Sequence, residues 1–103
     1  KLIEKKQNIT LLDPPKYGQS NHWFYALKTS SGYKRNIKEI IEHLNDNNVQ
    51  SRPIWKLNHE QIPFKDCFHV DLSKSIEFHR TVLNVPCSTN LKKEEIETVC
   101  SLL

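Results

Sequence analysis

Residues 49–64 read VQSRPIWKLNHEQIPF, and the rest of the chain is organised around them. Each proline fixes φ and removes a backbone donor, and the residue before a proline is restricted to extended geometry. The stretch is therefore predicted to be a short strand that ends in a stiff loop. Such a loop can hold Arg52, Trp55 and His59 in fixed directions, which is a common way to build a functional site. The alternative is an ordinary edge strand whose tryptophan covers the core.

The composition indicates one globular domain. The chain has 103 residues, of which 26% are charged and 37% hydrophobic. This balance suits a folded domain with a modest core better than a disordered tail. The net charge is +3, but the basic residues are scattered among acidic ones, which argues against a nucleic-acid partner. The sequence shows neither an apolar run of transmembrane length nor a signal-peptide pattern, so no membrane partner is predicted.

The cysteines point to a reducing compartment. There are three of them, Cys67, Cys87 and Cys100, and none forms a CxxC pair. An odd count with this spacing argues against a disulfide framework and against a closed zinc site. A cytoplasmic location is the natural expectation. Residues 1–6, KLIEKK, resemble the last turn of a helix that continues upstream, so we expect the chain to be part of a longer protein.

The clearest predicted element is a helix that begins after Asn36. Asn36 and Glu39 form a capping-box pattern. The apolar residues that follow have the spacing of one buried helix face: Ile37, Ile40, Ile41 and Leu44. Asn47 and Asn48 can supply the left-handed residue that ends a helix. Residues 49–64 follow directly, so the sequence predicts a helix that leads into a strand.

The other elements are read from shorter patterns. Strands are predicted at residues 8–12, 21–29 and 50–54, with residues 21–29 as the aromatic-rich central strand, and residues 83–86 look extended. Ser73 or Ser75 is expected to cap a short helix to about Val82, and a last helix is expected over residues 92–103. The predicted fold class is α+β, with a small, mainly antiparallel sheet of about three strands and helices packed on one face.

Residue spacing gives little support for a metal site or for a set of catalytic residues. The histidines are spread through the chain at His22, His43, His59, His69 and His79, so no metal site is predicted. The cysteines lack a neighbouring base for nucleophilic catalysis. Glu94, Glu95 and Glu97 fall in the first turns of a helix, where they favour the helix dipole. What remains is Arg52, which can hold a carboxylate or phosphate, Trp55, which can stack on a ring, and His59, which can carry a proton.

Four segments, in order, resemble the DegT/DnrJ/EryC1/StrS family of pyridoxal-phosphate (PLP)-dependent sugar aminotransferases. SRPIWKLNH at residues 51–59 is similar to the family's "(S/T)RP(L/I)W-x-x-x-H" segment. SNHWFYALK at 20–28 resembles a family strand, and residues 36–48 resemble the "ILEHLNENGI" helix. VPCSTNL at 85–91, followed by Glu94 and Glu95, resembles the "(L/I)PSSxNLTEEE" ending. The resemblance covers nearly the whole chain.

The resemblance implies that residues 1–103 are the C-terminal small domain of a fold-type I aminotransferase. The large domain, with the Schiff-base lysine and most of the PLP phosphate cup, would precede Lys1. The implied partners are this large domain, a second subunit in a homodimer, a nucleotide-linked 4-keto-6-deoxy sugar and glutamate as amino donor. The fragment alone is expected to be inactive, with no catalytic residue of its own.

The resemblance also bears on individual residues. It implies that His59 reaches the active site near cofactor and donor, with Arg52 and Trp55 beside it. Lys92 departs from a common capping threonine, which puts that helix cap in doubt, and His22 replaces a frequent tyrosine. The competing hypothesis is a self-standing α+β binding module that presents Trp55 and Arg52 to a partner. An upstream reading frame with a PLP-binding lysine would decide between the two.

Overall fold

In the computed structural model, which describes residues 2–103, four strands form one antiparallel sheet. The strands are β1 (Ile9–Leu11), β2 (Tyr25–Thr29), β3 (Arg52–Pro53) and β4 (Val82–Val85). They lie in the order β1-β2-β4-β3. Leu27 therefore pairs with Leu11 on one side and Leu83 on the other, and Pro53 pairs with Leu83 from the far edge. The last strand of the chain thus sits inside the sheet.

The α-helices of the described chain are α1 (Ile37–Asp46), α2 (Ser73–Thr81) and α3 (Lys93–Leu102). Short 3₁₀ turns occur at Ile3–Lys5, Asn58–Glu60 and Ile62–Phe64. The expected helical end near the N-terminus is thus one 3₁₀ turn, and Lys1 lies outside the described residues. No helix within residues 2–103 is long and apolar enough to cross a membrane.

Helix α1 forms as its sequence predicts. The Asn36 side chain accepts a hydrogen bond from the Glu39 backbone N–H at 3.0 Å, and the Glu39 carboxylate accepts from the Asn36 N–H at 2.8 Å. This reciprocal pair satisfies two donors that a helix start leaves open. After the helix, Asn48 adopts φ +60°, a left-handed conformation that asparagine tolerates better than most residues. The chain then turns back toward the sheet at β3.

The core lies between the sheet and α1. Leu27 and Leu83 from the sheet pack against Ile40 and Leu44 from the helix, and all four are buried. Helix α3 covers the same face less completely. Val99, Leu102 and Leu103 pack against the core but stay partly exposed. Their apolar contact still follows the helical spacing expected from the sequence.

Helix α2 lies on the opposite face of the sheet. Side chains alternate between faces along a strand, so Lys28 points away from the core that holds Leu27. The Lys28 amine contacts the Glu77 carboxylate at 2.7 Å and lies 5.0 Å from the centre of the Phe78 ring. Glu77 and Phe78 both belong to α2. The predicted α+β class with a small antiparallel sheet is confirmed; the sheet has four strands instead of about three, and α2 covers its second face.

Several element boundaries differ from the predictions. Residues 21–24 precede β2 instead of forming part of it, because His22 turns the backbone at φ +54°. The strand predicted at residues 50–54 shrinks to Arg52–Pro53. Pro53 lacks the N–H that a longer ladder needs, which suits an edge strand.

The capping at the N-termini of α2 and α3 also differs from the predictions. At α2 neither Ser73 nor Ser75 caps the helix, since the Asp71 carboxylate accepts from the Ser73 N–H at 3.0 Å. At α3 the doubt about Lys92 is resolved through Glu95, whose carboxylate accepts from the Lys92 N–H. A lysine side chain has no acceptor, so this is only half of a capping box.

Candidate functional site

The loop after β3, which was predicted to be stiffened by its prolines, is also held by hydrogen bonds of its own. The Gln61 side-chain amide donates to the Lys56 carbonyl at 3.2 Å and to the Asn58 side chain at 3.1 Å. Pro63 lies in the second of two consecutive 3₁₀ turns. Together these features restrict the first turn, Asn58–Glu60, which carries His59.

His59 lines an open depression of about 450 Å³. The depression lies between the loop after β3 and the segment before α2, and its wall includes Lys56, Phe64, Cys67 and His69. The centre of the half-buried His59 ring lies 5.3 Å from that of His69, with the ring planes at 44°. The Nδ1 of His69 lies 3.2 Å from the Val70 carbonyl oxygen. Because a carbonyl only accepts, Nδ1 carries the proton and Nε2 stays available as an acceptor in the neutral ring.

Arg52 and Trp55 line a second depression, of about 530 Å³. Trp55 is 70% exposed and does not cover the core. Its ring meets that of Phe24 edge-on at 5.4 Å, and Phe24 in turn lies 4.7 Å from Trp23. Such geometries are the preferred ones for aromatic pairs. Opposite the rings, β4 and the residues after it close the depression.

The predicted site residues therefore fall into two groups. Arg52 and Trp55 share one depression, and His59 stands in the other. The resemblance implied that Arg52 and Trp55 lie beside His59; in the described chain His59 lies on the turn Asn58–Glu60, in the wall of the other depression. Any single ligand that reaches all three would have to span both depressions.

Sequence reasoning did not single out His69 and Phe24, which line these depressions, or Trp23, which contacts Phe24. His69 was noted only as one of the scattered histidines, and its ring neighbour His59 lies ten positions earlier. Trp23 and Phe24 were assigned to a strand, whereas they belong to the loop before it. The one sequence signal for their surface position was that two aromatic residues are adjacent at the start of a predicted strand. Successive side chains of a strand point to opposite faces, so one of the two would be expected to face outward. In the structure both are exposed.

The described residues do not form a metal centre. No group of three or more histidine, cysteine, aspartate or glutamate side chains is placed to hold an ion within residues 2–103. The cysteines at positions 67, 87 and 100 are free thiols. Among residues 2–103, the largest pKa change lies elsewhere, on α2, where hydrogen bonds from Lys28 and Lys74 lower the pKa of the Glu77 carboxyl to about 2. Glu77 lines neither depression.

The chain belongs to the DegT/DnrJ/EryC1/StrS aminotransferase family, whose model matches residues 1–103. Two solved structures share the fold. One is PseC from Helicobacter pylori, an aminotransferase involved in the biosynthesis of pseudoaminic acid, with a TM-score of 0.82 at 18% identity. The other is the aminotransferase TlmJ from Streptoalloteichus hindustanus, with a TM-score of 0.77 at 16% identity.

The alignments cover only a small part of each of the two structures. Each alignment covers 98% of this chain, but 28% of PseC and 26% of TlmJ. The chain thus spans about a quarter of the length of either structure. At these identities the likeness concerns the fold. No curated protein sequence is significantly similar to the chain.

Proposed function

We propose that residues 1–103 are the C-terminal small domain of a PLP-dependent sugar aminotransferase. The whole protein would convert a nucleotide-linked 4-keto-6-deoxy sugar to the amino sugar, with glutamate as donor. The observation that carries the proposal is the family match over the whole chain. The shared fold with two aminotransferases supports it, and so does the stiff loop that presents His59 beside an open depression.

We propose that PLP is held mainly by residues outside this chain. When bound, PLP would supply the electron-withdrawing chemistry of transamination, and it would need a lysine amine next to its ring. Within residues 2–103, Lys6, Lys34 and Lys56 line open depressions. We therefore assign the Schiff-base lysine and the phosphate cup to a large domain that precedes residue 1. The remaining partners in the proposal are a second subunit, in a cytoplasmic homodimer, and the two substrates.

Within that enzyme the role of this chain is to bind and orient. His59 can donate a hydrogen bond to the carboxylate of the amino donor, because its ring is half-buried and partly fixed by His69. Hydrogen bonds to a charged group contribute about 1.5–3 kcal/mol. Arg52, an exposed guanidinium, can hold a phosphate or carboxylate at two points. We name no catalytic residue in this chain.

The test is transamination by the complete natural polypeptide that contains this chain. Purified protein is incubated with PLP, glutamate and a UDP-linked 4-keto-6-deoxy sugar, and the amino sugar is detected by mass spectrometry. Formation of both the amino sugar and 2-oxoglutarate is expected. A polypeptide without a PLP-binding lysine and without product would instead favour the self-standing binding module.

A second measurement tests which of the two domains binds PLP. The 103-residue chain is mixed with PLP, excess PLP is removed, and the absorbance of an internal aldimine is recorded. We expect no retained band for this chain and a clear band for the complete polypeptide. A stoichiometric band on the short chain would show that the cofactor site lies within these residues.

A further inference from the structure

A third depression, of about 300 Å³, lies between the segment before β1 and the connection from β2 to α1. Its wall carries three cations, Lys6 from the first segment and Lys34 and Arg35 from the second. No acidic side chain of residues 2–103 lines it. We call it the basic depression. Phe24, which lines the depression of Arg52, precedes β2, whereas this connection follows β2. The two depressions therefore lie at opposite ends of that strand.

The three cations are uncompensated within the described chain, where none of them forms a hydrogen bond or an ion pair. The acidic residue closest in sequence to Arg35 is Glu39, which caps α1 and does not line the depression. Leu103 does line it, and its main-chain oxygen accepts from the Tyr33 hydroxyl. Even a terminal carboxylate at that position would neutralise only one of three charges. A concave surface with such an excess concentrates anions.

The backbone of the basic depression adds a hydrogen-bond donor to these charges. Asn8 and Gly32, which both line it, adopt left-handed conformations at φ +63° and +95°. The Ser30 N–H donates to the Asn8 carbonyl at 3.0 Å and so joins the two segments. The Asn8 side-chain nitrogen lies 3.3 Å from the place that a Cβ of Gly32 would take, and it donates to no other residue between positions 2 and 103. A glycine lets a ligand approach the backbone closely, so the depression offers directed donors and room for an oxyanion.

We propose that the basic depression binds a phosphate group, either as free phosphate or as a small phosphate monoester. The Arg35 guanidinium can hold two phosphate oxygens at once, while the lysines act as point charges. Lys6 and Asn8 are half-buried, whereas Lys34 and Arg35 are exposed. A flat lipid surface would reach only the exposed pair, so a small soluble phosphate compound uses the site more fully than a lipid headgroup does. The inference is independent of the proposed enzyme function, because these residues line neither of the other two depressions.

The test titrates the 103-residue chain with inorganic phosphate or with glycerol 3-phosphate, while sodium chloride keeps the ionic strength constant. Backbone amide signals are followed by NMR, and additions to about 20 mM cover affinities in the millimolar range. Saturable shifts are expected for residues 32–35 with both compounds, since both carry the phosphate group. Sodium chloride alone should not produce these shifts, and vesicles that contain phosphatidic acid should not sediment the chain.

Matched variants assign the contacts. Arg35→Gln is expected to weaken phosphate binding about tenfold, the scale of one charge-assisted hydrogen bond. Arg35→Lys keeps the charge but loses the planar fork, so its affinity should lie between those of the parent and of Arg35→Gln. Lys6→Gln should also weaken binding, because it removes the cation of the opposite wall. Arg80→Gln on α2 and Lys38→Gln on α1 change exposed cations outside the depression, and should bind phosphate as the parent does. Circular dichroism confirms that the parent and each variant are folded.

The outcomes that would overturn the proposal are distinct from a failure of the enzyme function. They are the absence of saturable shifts, equal losses in Arg35→Gln and Arg80→Gln, and sedimentation with vesicles in the absence of shifts by glycerol 3-phosphate. Calorimetry with phosphate is repeated on the complete polypeptide, where the difference between the parent and Arg35→Gln isolates this depression from any other phosphate site. Identical isotherms there would also contradict the proposal. A polypeptide that forms no amino sugar would leave each of these results unchanged.

Discussion

The rings of His59 and His69 lie with their centres 5.3 Å apart, and this contact joins the loop after β3 to the segment before α2. His69 is anchored in turn through its Nδ1–H to the Val70 carbonyl. The orientation of His59 thus depends on a residue that no local pattern connects to it. The contact leaves part of the His59 ring accessible from the open depression.

Replacement of His59 by alanine is expected to impair the proposed transamination. The loss of one hydrogen bond to a charged group, about 1.5–3 kcal/mol, corresponds to a fall of about ten- to a hundredfold in kcat/KM. The measurement uses the complete polypeptide, with each substrate varied in turn. His79→Ala, which removes an imidazole from α2 outside both depressions, is the control. A His59→Ala enzyme within about twofold of the parent would contradict the assigned role.

Glu77 is expected to make the fold sensitive to acid. Its folded-state pKa is lowered to about 2 by Lys28 and Lys74, below the ordinary value near 4.5. A lowered carboxyl pKa stabilises the fold above the unfolded-state pKa, and this stability is lost as pH falls through the folded-state value. The thermal midpoint should therefore drop between about pH 4.5 and pH 2. In Glu77→Gln that part of the drop should disappear.

The control for this pH effect is Glu42→Gln. Glu42 is exposed on α1, and its oxygen lies 3.8 Å from the Lys38 amine, so an exposed pair of this length contributes little. Thermal unfolding by circular dichroism over the same pH range distinguishes the two variants. Parallel curves for Glu77→Gln and the parent would show that the Lys28–Glu77 contact does not stabilise the fold.

Asn36→Ala should destabilise the chain by about 1 kcal/mol, within a range of about 0.5–2 kcal/mol for loss of a helix N-cap. Asn36 accepts from the Glu39 N–H and starts the helix that contributes Ile37, Ile40 and Leu44 to the core. Urea unfolding monitored by circular dichroism measures the change. Asn90→Ala, in the exposed turn before α3, removes an asparagine with no capping bond and should stay close to the parent. Equal effects of the two substitutions would argue against the cap.

Leu44→Ala should cost about 2–5 kcal/mol of unfolding free energy, because it removes a fully buried side chain and leaves a cavity. Leu44 is 0% exposed and faces Leu27 and Leu83 in the core. Ile62→Ala is the matched control, since Ile62 is 92% exposed. The same urea series measures both. A Leu44→Ala chain as stable as the parent would mean that α1 does not pack as described.

Sequence patterns correctly predicted the features that depend on residues close together in the chain. Asn36 and Glu39 marked the start of α1, the isoleucines marked its buried face, and Asn48 marked its end, because capping and left-handed geometry act within a few residues. Residues 83–86 were also predicted to be extended, and β4 is Val82–Val85. The proline-restricted loop around His59 was predicted for the same reason, since prolines act on the backbone next to them.

The remaining features depend on contacts between distant residues. Lys28 meets Glu77 across 49 positions, and this contact places α2 on the second face of the sheet. Nothing near Lys28 in the sequence indicates that partner. The His59–His69 contact and the separation of His59 from Arg52 likewise follow from how loops are carried by the sheet. Periodicity assigns a residue to a face, but it does not say which element covers that face.

The strand order has a consequence for how the chain acquires its structure during synthesis. β4 lies between β2 and β3, so β2 and β3 cannot be bridged until residues 82–85 have left the ribosome. Until then each of these strands presents an open edge, a surface that can pair with other chains. Contacts that join residues so far apart in sequence also form slowly. Residues from 82 onward therefore determine when the open strand edges of the earlier part are covered. Nascent chains that are released before residue 82 should be bound by chaperones.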